Sequence, residues 1–156
     1  RRDHRLARHE GPRRSSEAEG LVGNQMAKAI HSMIRVFDLE RSMDFYREAF
    51  GLALVERLDF DDFTLAYLRN SESEFELELT WNHDQEVPYE HGSGYGHLAV
   101  TVDDVEEEHA RFEAKGLAPR KLVSMEHAGK QLAHIFFVQD PDGYEIEVIQ
   151  RAGRFI

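Results

Sequence analysis

Two histidines and two glutamates recur at matching places in this sequence and could together hold a divalent metal ion. His31 precedes Glu78 by 47 residues, and His97 precedes Glu147 by 50 residues. Two imidazoles and two carboxylates without a thiolate suit an ion that accepts five or six ligands, so nickel, cobalt, manganese, iron and zinc are all admissible. Such a site keeps room for water or substrate. It can act as a Lewis acid that stabilises an enediolate, while a carboxylate beside it moves a proton.

The four residues belong to two copies of one pattern of secondary structure. In each copy an apolar run that contains the histidine precedes an amphipathic segment closed by Gly51 or Gly116, which is typical of a strand followed by a helix. Three β-rich runs follow each helix. The predicted strands are Ile30–Val36, Leu52–Phe60, Phe63–Leu68 and Phe75–Trp81 in the first copy, and Gly96–Val102, Leu117–Val123, Leu132–Val138 and Tyr144–Ile149 in the second.

This pattern predicts an α+β protein made of two βαβββ modules. The first and last strands of each module are expected to be neighbours in a sheet. Because side chains alternate between the two faces of a sheet, a histidine on one strand and a glutamate on the other can then share a face. Two curved sheets brought together would converge all four side chains.

The predicted organisation divides the chain into a disordered extension, two modules, a connector and a short tail. The extension has no sustained periodicity and no apolar segment of the length a secretory signal requires. The five parts are residues 1–25 for the extension, 26–85 for the first module, 86–92 for the connector, 93–151 for the second module and 152–156 for the tail.

Composition restricts the partners and the compartment. The chain has 156 residues, 41% of them hydrophobic, and a formal net charge of −11. Residues beyond 25 carry twice as many acids as bases, which argues against a binder of nucleic-acid phosphates. No apolar run approaches the ~20 residues that span a bilayer. The absence of cysteine excludes disulfides and thiolate ligands, and it fits a cytoplasmic protein.

The other histidines are weaker candidates for metal ligands. His83 and His91 lie in the polar connecting segment, His109 in the second helix and His127 in a predicted loop. His134 is the main rival because it lies in a predicted strand, but it has no counterpart in the first copy.

Four motifs, in order along the chain, resemble the glyoxalase I (lactoylglutathione lyase) family of the vicinal-oxygen-chelate superfamily. They are I-H-S-M-I-R-V-F-D-L-E-R-S-M-D-F-Y, E-L-T-W-N, G-S-G-Y-G-H-L-A-V and D-P-D-G-Y-E-I-E-V-I, between about Ile30 and Gln150. The resemblance implies a homodimer whose metal sites form at the subunit interface from modules of both chains. His31, Glu78, His97 and Glu147 match the family's metal ligands.

The resemblance also implies an activity. The family isomerises the hemithioacetal of methylglyoxal and glutathione to S-lactoylglutathione, and its short bacterial members prefer nickel or cobalt to zinc. Carried over to this chain, Glu147 is the base that takes the C1 proton and returns it at C2, and Glu78 is the ligand on the opposite side. Arg35 and Asn82 match the family's glutathione contacts, and their chemistry suits a peptide carboxylate.

Two departures concern the part of the family that binds the thiol. Ser93 stands where longer relatives have an arginine, and S-M-E-H-A-G-K-Q replaces a K-G-G-type loop. They leave open another metalloenzyme of the superfamily that acts on a different thiol or CoA adduct, such as an epimerase. A non-catalytic ligand-binding protein is a further alternative, but such members generally lack the metal ligands.

Overall fold

The computed structural model describes residues 26–156, and the predicted disordered extension over residues 1–25 lies outside the described residues. Strand, helix and three strands follow one another twice, so the predicted α+β fold is confirmed. The elements are β1 (His31–Arg35), α1 (Leu39–Phe50), β2 (Ala53–Asp59), β3 (Phe63–Arg69), β4 (Glu76–Asn82), β5 (His97–Val102), α2 (Val105–Ala114), β6 (Val123–His127), β7 (Lys130–Gln139) and β8 (Glu145–Gln150).

Each module forms a four-stranded mixed sheet. The strand orders are β1-β4-β3-β2 and β5-β8-β7-β6, with the first and last strands of each module parallel and every other pair antiparallel. His31 lies opposite Glu76, and His97 lies opposite Glu145. The first and last strands are therefore neighbours, as predicted, and the two modules share the same register at their histidines.

One face of each sheet is buried against the helices. Asp38 caps α1 by accepting a hydrogen bond from the Arg41 backbone amide at 3.0 Å. The helix then places Leu39, Tyr46 and Ala49 in the core. A single hydrophobic cluster joins both modules and includes Ile34, Leu79, Val105, Phe112, Phe136, Ile146 and Val148. Burial of these residues fixes which side of each sheet remains open, because alternate side chains must point away from the core.

The predicted strand over Leu117–Val123 is wrong, since only Val123 of that run lies in β6. Ala118 has a positive φ of 53°, and Pro119 has no amide hydrogen for a ladder. The strand instead begins at Val123 and places His127, predicted in a loop, at its end. Ala128 and Gly129, with φ of 51° and 72°, then turn the chain into β7, as the two central residues of a type I′ hairpin turn do.

The turn Asp140-Pro141-Asp142-Gly143 links the second module to the first through hydrogen bonds. Asp140 accepts hydrogen bonds from the Tyr46 hydroxyl at 2.7 Å and from the Tyr144 amide at 2.9 Å, and Asp142 accepts one from the Phe37 amide at 2.9 Å. Burial raises the pKa of the Asp140 carboxyl, although the hydrogen bonds from Tyr46 and Tyr144 act to lower it. Within residues 26–156, neither helix has the length and apolar character needed to cross a membrane.

Candidate metal centre

The first module brings His31 and Glu78 into contact. The Nε2 atom of His31 lies 3.0 Å from Oε2 of Glu78. The glutamate side chain is 11% exposed, whereas the imidazole is 39% exposed. The Glu78 carboxylate is therefore largely buried, whereas the His31 ring lies at the exposed surface of the sheet.

The second module repeats this arrangement with His97 and Glu147. Their Nε2 and Oε2 atoms are also 3.0 Å apart, and the side-chain exposures of 41% and 14% follow the same pattern. Neither histidine lies opposite its glutamate, since His31 pairs with Glu76 and His97 with Glu145. Each contact is instead diagonal, to the glutamate two residues further along the neighbouring strand.

The donor atoms of each pair fit a divalent ion. Imidazole nitrogen and carboxylate oxygen bind such ions at ~2.1 Å, so two donors at a right angle around one ion are ~3.0 Å apart. The observed 3.0 Å separation in both modules is compatible with that spacing. The same separation is also ordinary for a direct contact between an imidazole nitrogen and a carboxylate oxygen.

The two pairs do not meet within one chain. Among residues 26–156, no group of three or more histidine, aspartate or glutamate side chains lies close enough to hold a metal ion. The structure thus brings His31 to Glu78 and His97 to Glu147, but it does not bring the first pair to the second. Each module thus contains half of the predicted set of four ligands.

One aromatic ring lies beside each pair, and the two rings differ. Tyr67 on β3 lies opposite Glu78, and Phe137 on β7 lies opposite Glu147. Their rings meet the imidazoles edge to face, at 6.0 Å for His31–Tyr67 and 5.4 Å for His97–Phe137. Sequence reasoning overlooked both residues, although the alternation of β3 and β7 could have placed them beside the glutamates.

The predicted substrate residues lie on the same module as the first pair. Arg35 is exposed on β1. Its side chain lies on the same face of the strand as those of His31 and Met33, because the three residues are two positions apart. The Asn82 amide at the end of β4 donates a hydrogen bond to the Tyr89 hydroxyl at 3.0 Å. Tyr89, which the sequence did not single out, therefore orients Asn82 from the connector.

The open faces of the two modules have different chemistry. Arg35 lies opposite Thr80 in the first module, whereas the corresponding pair in the second is Thr101 opposite Ile149. Ala133, Ile135 and Ile149 form a small apolar cluster on the open face of the second sheet, with Phe137 and Phe155 packed against it. The open face of the first module thus carries polar and cationic groups, and the open face of the second carries apolar side chains.

The rival histidines have other positions or partners. Phe137 on β7 lies opposite Glu147 and shares its face of the sheet. His134 is three residues from Phe137 on the same strand, so the His134 side chain is directed to the opposite face from Glu147. The rings of His83 and His109 form hydrogen bonds with Thr64 Oγ1 at 3.0 Å and with the Arg120 carbonyl at 2.8 Å. His91 stacks on Tyr144 with ring centroids 4.0 Å apart.

Proteins of known sequence resemble this chain over most of its length. A protein of Neisseria meningitidis named lactoylglutathione lyase is 41% identical over 129 residues, covering 80% of this chain and 91% of the relative. A protein of Haemophilus influenzae with the same name is 38% identical over 125 residues, covering 78% of this chain and 90% of the relative.

A solved structure has the same fold. The trypanothione-dependent glyoxalase I of Leishmania major superposes with a TM-score of 0.64 at 35% identity, covering 80% of this chain and 87% of the other. Residues 28–148 also match the sequence model of one protein family. The chain therefore belongs to the Glyoxalase/Bleomycin resistance protein/Dioxygenase superfamily.

Proposed function

We propose that this protein isomerises the hemithioacetal of methylglyoxal and glutathione to S-lactoylglutathione, the methylglyoxal-detoxifying reaction of a lactoylglutathione lyase. The observation that carries the proposal is the pair of equivalent half-sites, each with a histidine nitrogen 3.0 Å from a glutamate oxygen. They occur in a chain 41% identical to a protein named for that activity. The absence of cysteine supports a cytoplasmic location.

His31, Glu78, His97 and Glu147 are the proposed metal ligands. Nitrogen and oxygen donors without thiolate suit nickel or cobalt, which we favour over zinc. A divalent ion held by both pairs would supply a Lewis acid toward the two adjacent oxygens of the substrate.

Glu147 is the proposed base. Its carboxylate would take the proton from C1 of the hemithioacetal and return it at C2. C1 reaches the oxidation level of a thioester while C2 becomes an alcohol, so the isomerisation needs no external oxidant. The open face of the second module leaves this carboxylate beside Phe137 and the apolar cluster, where water competes less for the proton.

Arg35 and Asn82 are the proposed contacts to the thiol part of the substrate. The Arg35 guanidinium on the open face of the first module can pair with a peptide carboxylate, and the Asn82 amide can bind a peptide group. The polar face of the first module would hold the tripeptide, and the apolar face of the second would cover the reacting carbons.

A homodimer is proposed because, within residues 26–156, the two His–Glu pairs of one chain stay apart as two half-sites. In a symmetric dimer, the first module of one protomer can face the second module of its partner, which forms two complete sites. Exposed apolar side chains on the open faces and outer strands support such an interface. They are Met33, Leu54, Val55, Leu58, Val123 and Met125.

The test is turnover of the hemithioacetal by metal-stripped protein that is supplied separately with nickel, cobalt or zinc. Formation of the product thioester is followed by ultraviolet absorbance, with metal-free protein as the control. We expect turnover that depends on nickel or cobalt. Stoichiometric metal binding without turnover for any ion would contradict the proposed reaction.

A different thiol is the second candidate, because the Leishmania major relative is named as trypanothione-dependent and Ser93 departs from longer relatives. Methylglyoxal adducts of several thiols and a CoA thioester distinguish the two candidates. Preference for a non-glutathione adduct would keep the isomerisation and change the substrate. Tight binding of adducts without reaction would instead favour a ligand-binding protein.

A further inference from the structure

Arg35 and Asn82 stand in the same register relation as His31 and Glu78, four residues further along the first sheet. Arg35 lies opposite Thr80, and Asn82 is two residues beyond Thr80 on the same face of β4. Asn82 is also four residues beyond Glu78, which corresponds to about 13 Å along the strand. A thiol whose sulfur lies near the His31–Glu78 pair must therefore have an extended body to reach Asn82.

The Asn82 side chain is held by Tyr89. Its Nδ2 atom donates a hydrogen bond to the Tyr89 hydroxyl at 3.0 Å, and both residues are partly buried. The terminal torsion of an asparagine side chain is otherwise broad, so the amide group of a free side chain rotates readily. The contact with Tyr89 fixes the amide by its nitrogen and leaves the second N–H and the carbonyl oxygen available to a ligand.

The segment that carries Tyr89 is anchored to the second module. His91, two residues further on, stacks on the ring of Tyr144 with centroids 4.0 Å apart and an angle of 9° between the ring planes. Tyr144 is buried, and its hydroxyl donates to the Arg35 carbonyl at 2.9 Å. The connector is therefore fastened beside both residues that are proposed to bind the thiol.

We propose that Tyr89 is a positioning residue that makes the site selective for a thiol with a peptide group, because it holds the Asn82 amide where such a group can pair with it. This inference rests on the proposed function for the contact between Asn82 and the substrate. A held amide pairs with a peptide N–H and C=O at a smaller loss of conformational freedom than a mobile one. A small thiol without a peptide group does not extend to Asn82 and gains nothing from Tyr89.

The first test measures binding without reaction. Tyr89→Phe removes only the hydroxyl group, and the ligand is S-methylglutathione, which has the tripeptide but no hemithioacetal. Titration calorimetry of the nickel-loaded full-length protein gives the dissociation constant. We expect Tyr89→Phe to weaken binding about fivefold, the value of one positioned hydrogen bond. Tyr95→Phe is the matched control and should bind like the original protein, since it removes a tyrosine hydroxyl near the connector and keeps the ring beside Tyr144.

A double-mutant cycle shows whether Tyr89 acts through Asn82. In an Asn82→Ala background, Tyr89→Phe should cause no further loss of affinity for S-methylglutathione, because the group that it positions is already gone. The same loss in both backgrounds would overturn the proposal, as would unchanged affinity in Tyr89→Phe alone. Thermal unfolding of each variant verifies that it is folded.

Kinetics separate positioning from a general structural role. Tyr89→Phe should raise KM for the glutathione hemithioacetal about fivefold with little change in kcat. Its KM for the methylglyoxal adduct of 2-mercaptoethanol, which has no peptide group, should equal that of the original protein. An equal rise in KM for both adducts would overturn the assignment of selectivity to Tyr89.

The two proposals fail in different ways. If the original protein binds S-methylglutathione but does not convert the hemithioacetal, the proposed reaction is wrong, and the double-mutant cycle still decides the role of Tyr89. If the original protein isomerises the glutathione adduct and Tyr89→Phe binds S-methylglutathione normally, the reaction stands and the role of Tyr89 is wrong. No binding of S-methylglutathione by the original protein would overturn the role of Tyr89 together with that of Asn82.

Discussion

His31 reaches past Glu76, the residue opposite it on β4, and places its Nε2 atom 3.0 Å from Glu78. The same diagonal contact recurs in the second module between His97 and Glu147. In both modules the histidine thus contacts the diagonal glutamate and not the glutamate directly opposite. Because the same choice recurs, it follows from the backbone register of the strands and not from the proximity of charges alone. It also separates the proposed ligands from Glu76 and Glu145, which lie two residues earlier on the same two strands.

Glu147→Gln should lower kcat by about 10²–10⁴-fold, because an amide cannot accept the C1 proton. Steady-state turnover of the hemithioacetal measures the effect, and circular dichroism verifies folding. Glu145→Gln is the matched control, since Glu145 lies two residues away on the same strand and accepts hydrogen bonds from Arg120 and Gln139. Near-normal turnover by Glu147→Gln would remove this residue from the role of base.

His97→Ala should lower the bound nickel measured by elemental analysis after dialysis. The loss follows from removing one of four proposed donors, and it should exceed tenfold in affinity. His134→Ala serves as the control, because that side chain lies on the opposite face of its sheet. Full metal occupancy in His97→Ala would show that the proposed ligand set is wrong.

Mixing His31→Ala with His97→Ala should restore activity that neither variant has alone. If each site combines the first module of one protomer with the second module of the other, a mixed dimer has one site with both changes and one intact site. Random exchange would then recover about a quarter of the original activity, because half of the dimers are mixed and each has one working site. Equilibration at low protein concentration before assay provides the exchange. No recovery after confirmed exchange would contradict the shared site.

Arg35→Ala should raise KM for the glutathione adduct about tenfold and leave kcat less affected, because the guanidinium is proposed to bind the substrate's carboxylate and not the reacting carbons. Arg35→Lys should recover part of the loss, and Arg41→Ala on the exposed side of α1 provides a control for lost charge. A fall in kcat at unchanged KM would assign Arg35 to the chemistry instead.

Tyr46→Phe should cost about 1–3 kcal/mol of unfolding free energy at pH 8, because it leaves the buried Asp140 without its 2.7 Å hydrogen bond. Burial and the Asp140 charge raise the pKa of Tyr46 in the folded state above its ordinary value of 10.0. A raised pKa gives stability that is fully present below pH 10 and lost as the pH rises further, by up to ~1.4 kcal/mol per unit.

The deficit of Tyr46→Phe relative to the original protein should therefore shrink between pH 10 and 11. Urea unfolding at pH 8, 10 and 11 measures the difference between the two proteins at each pH, which cancels titrations common to both. An equal deficit at all three values would show that Tyr46 ionises equally in the folded and unfolded chains.

The fold could be predicted because two copies of one pattern constrain each other. The strand–helix–strand order and the adjacency of first and last strands follow from apolar runs, closing glycines and the similar spacing of His31–Glu78 and His97–Glu147. The strand predicted over Leu117–Val123 failed because a short apolar run with a proline does not reveal where the backbone amides find partners. Pairing with β7 begins only at Val123, and that pairing is a property of the sheet.

The sequence by itself determined the donor types, their division into two equivalent pairs and the face that each pair shares, since these follow from residue identity and period-two alternation. Only the tertiary structure decided that each histidine contacts the diagonal glutamate, that the two pairs stay apart in one chain, and that Tyr67 and Phe137 give them unequal neighbours. Those relationships depend on strand register and on the packing of one module against the other. Both come from contacts between residues far apart in the chain, which local sequence patterns do not encode.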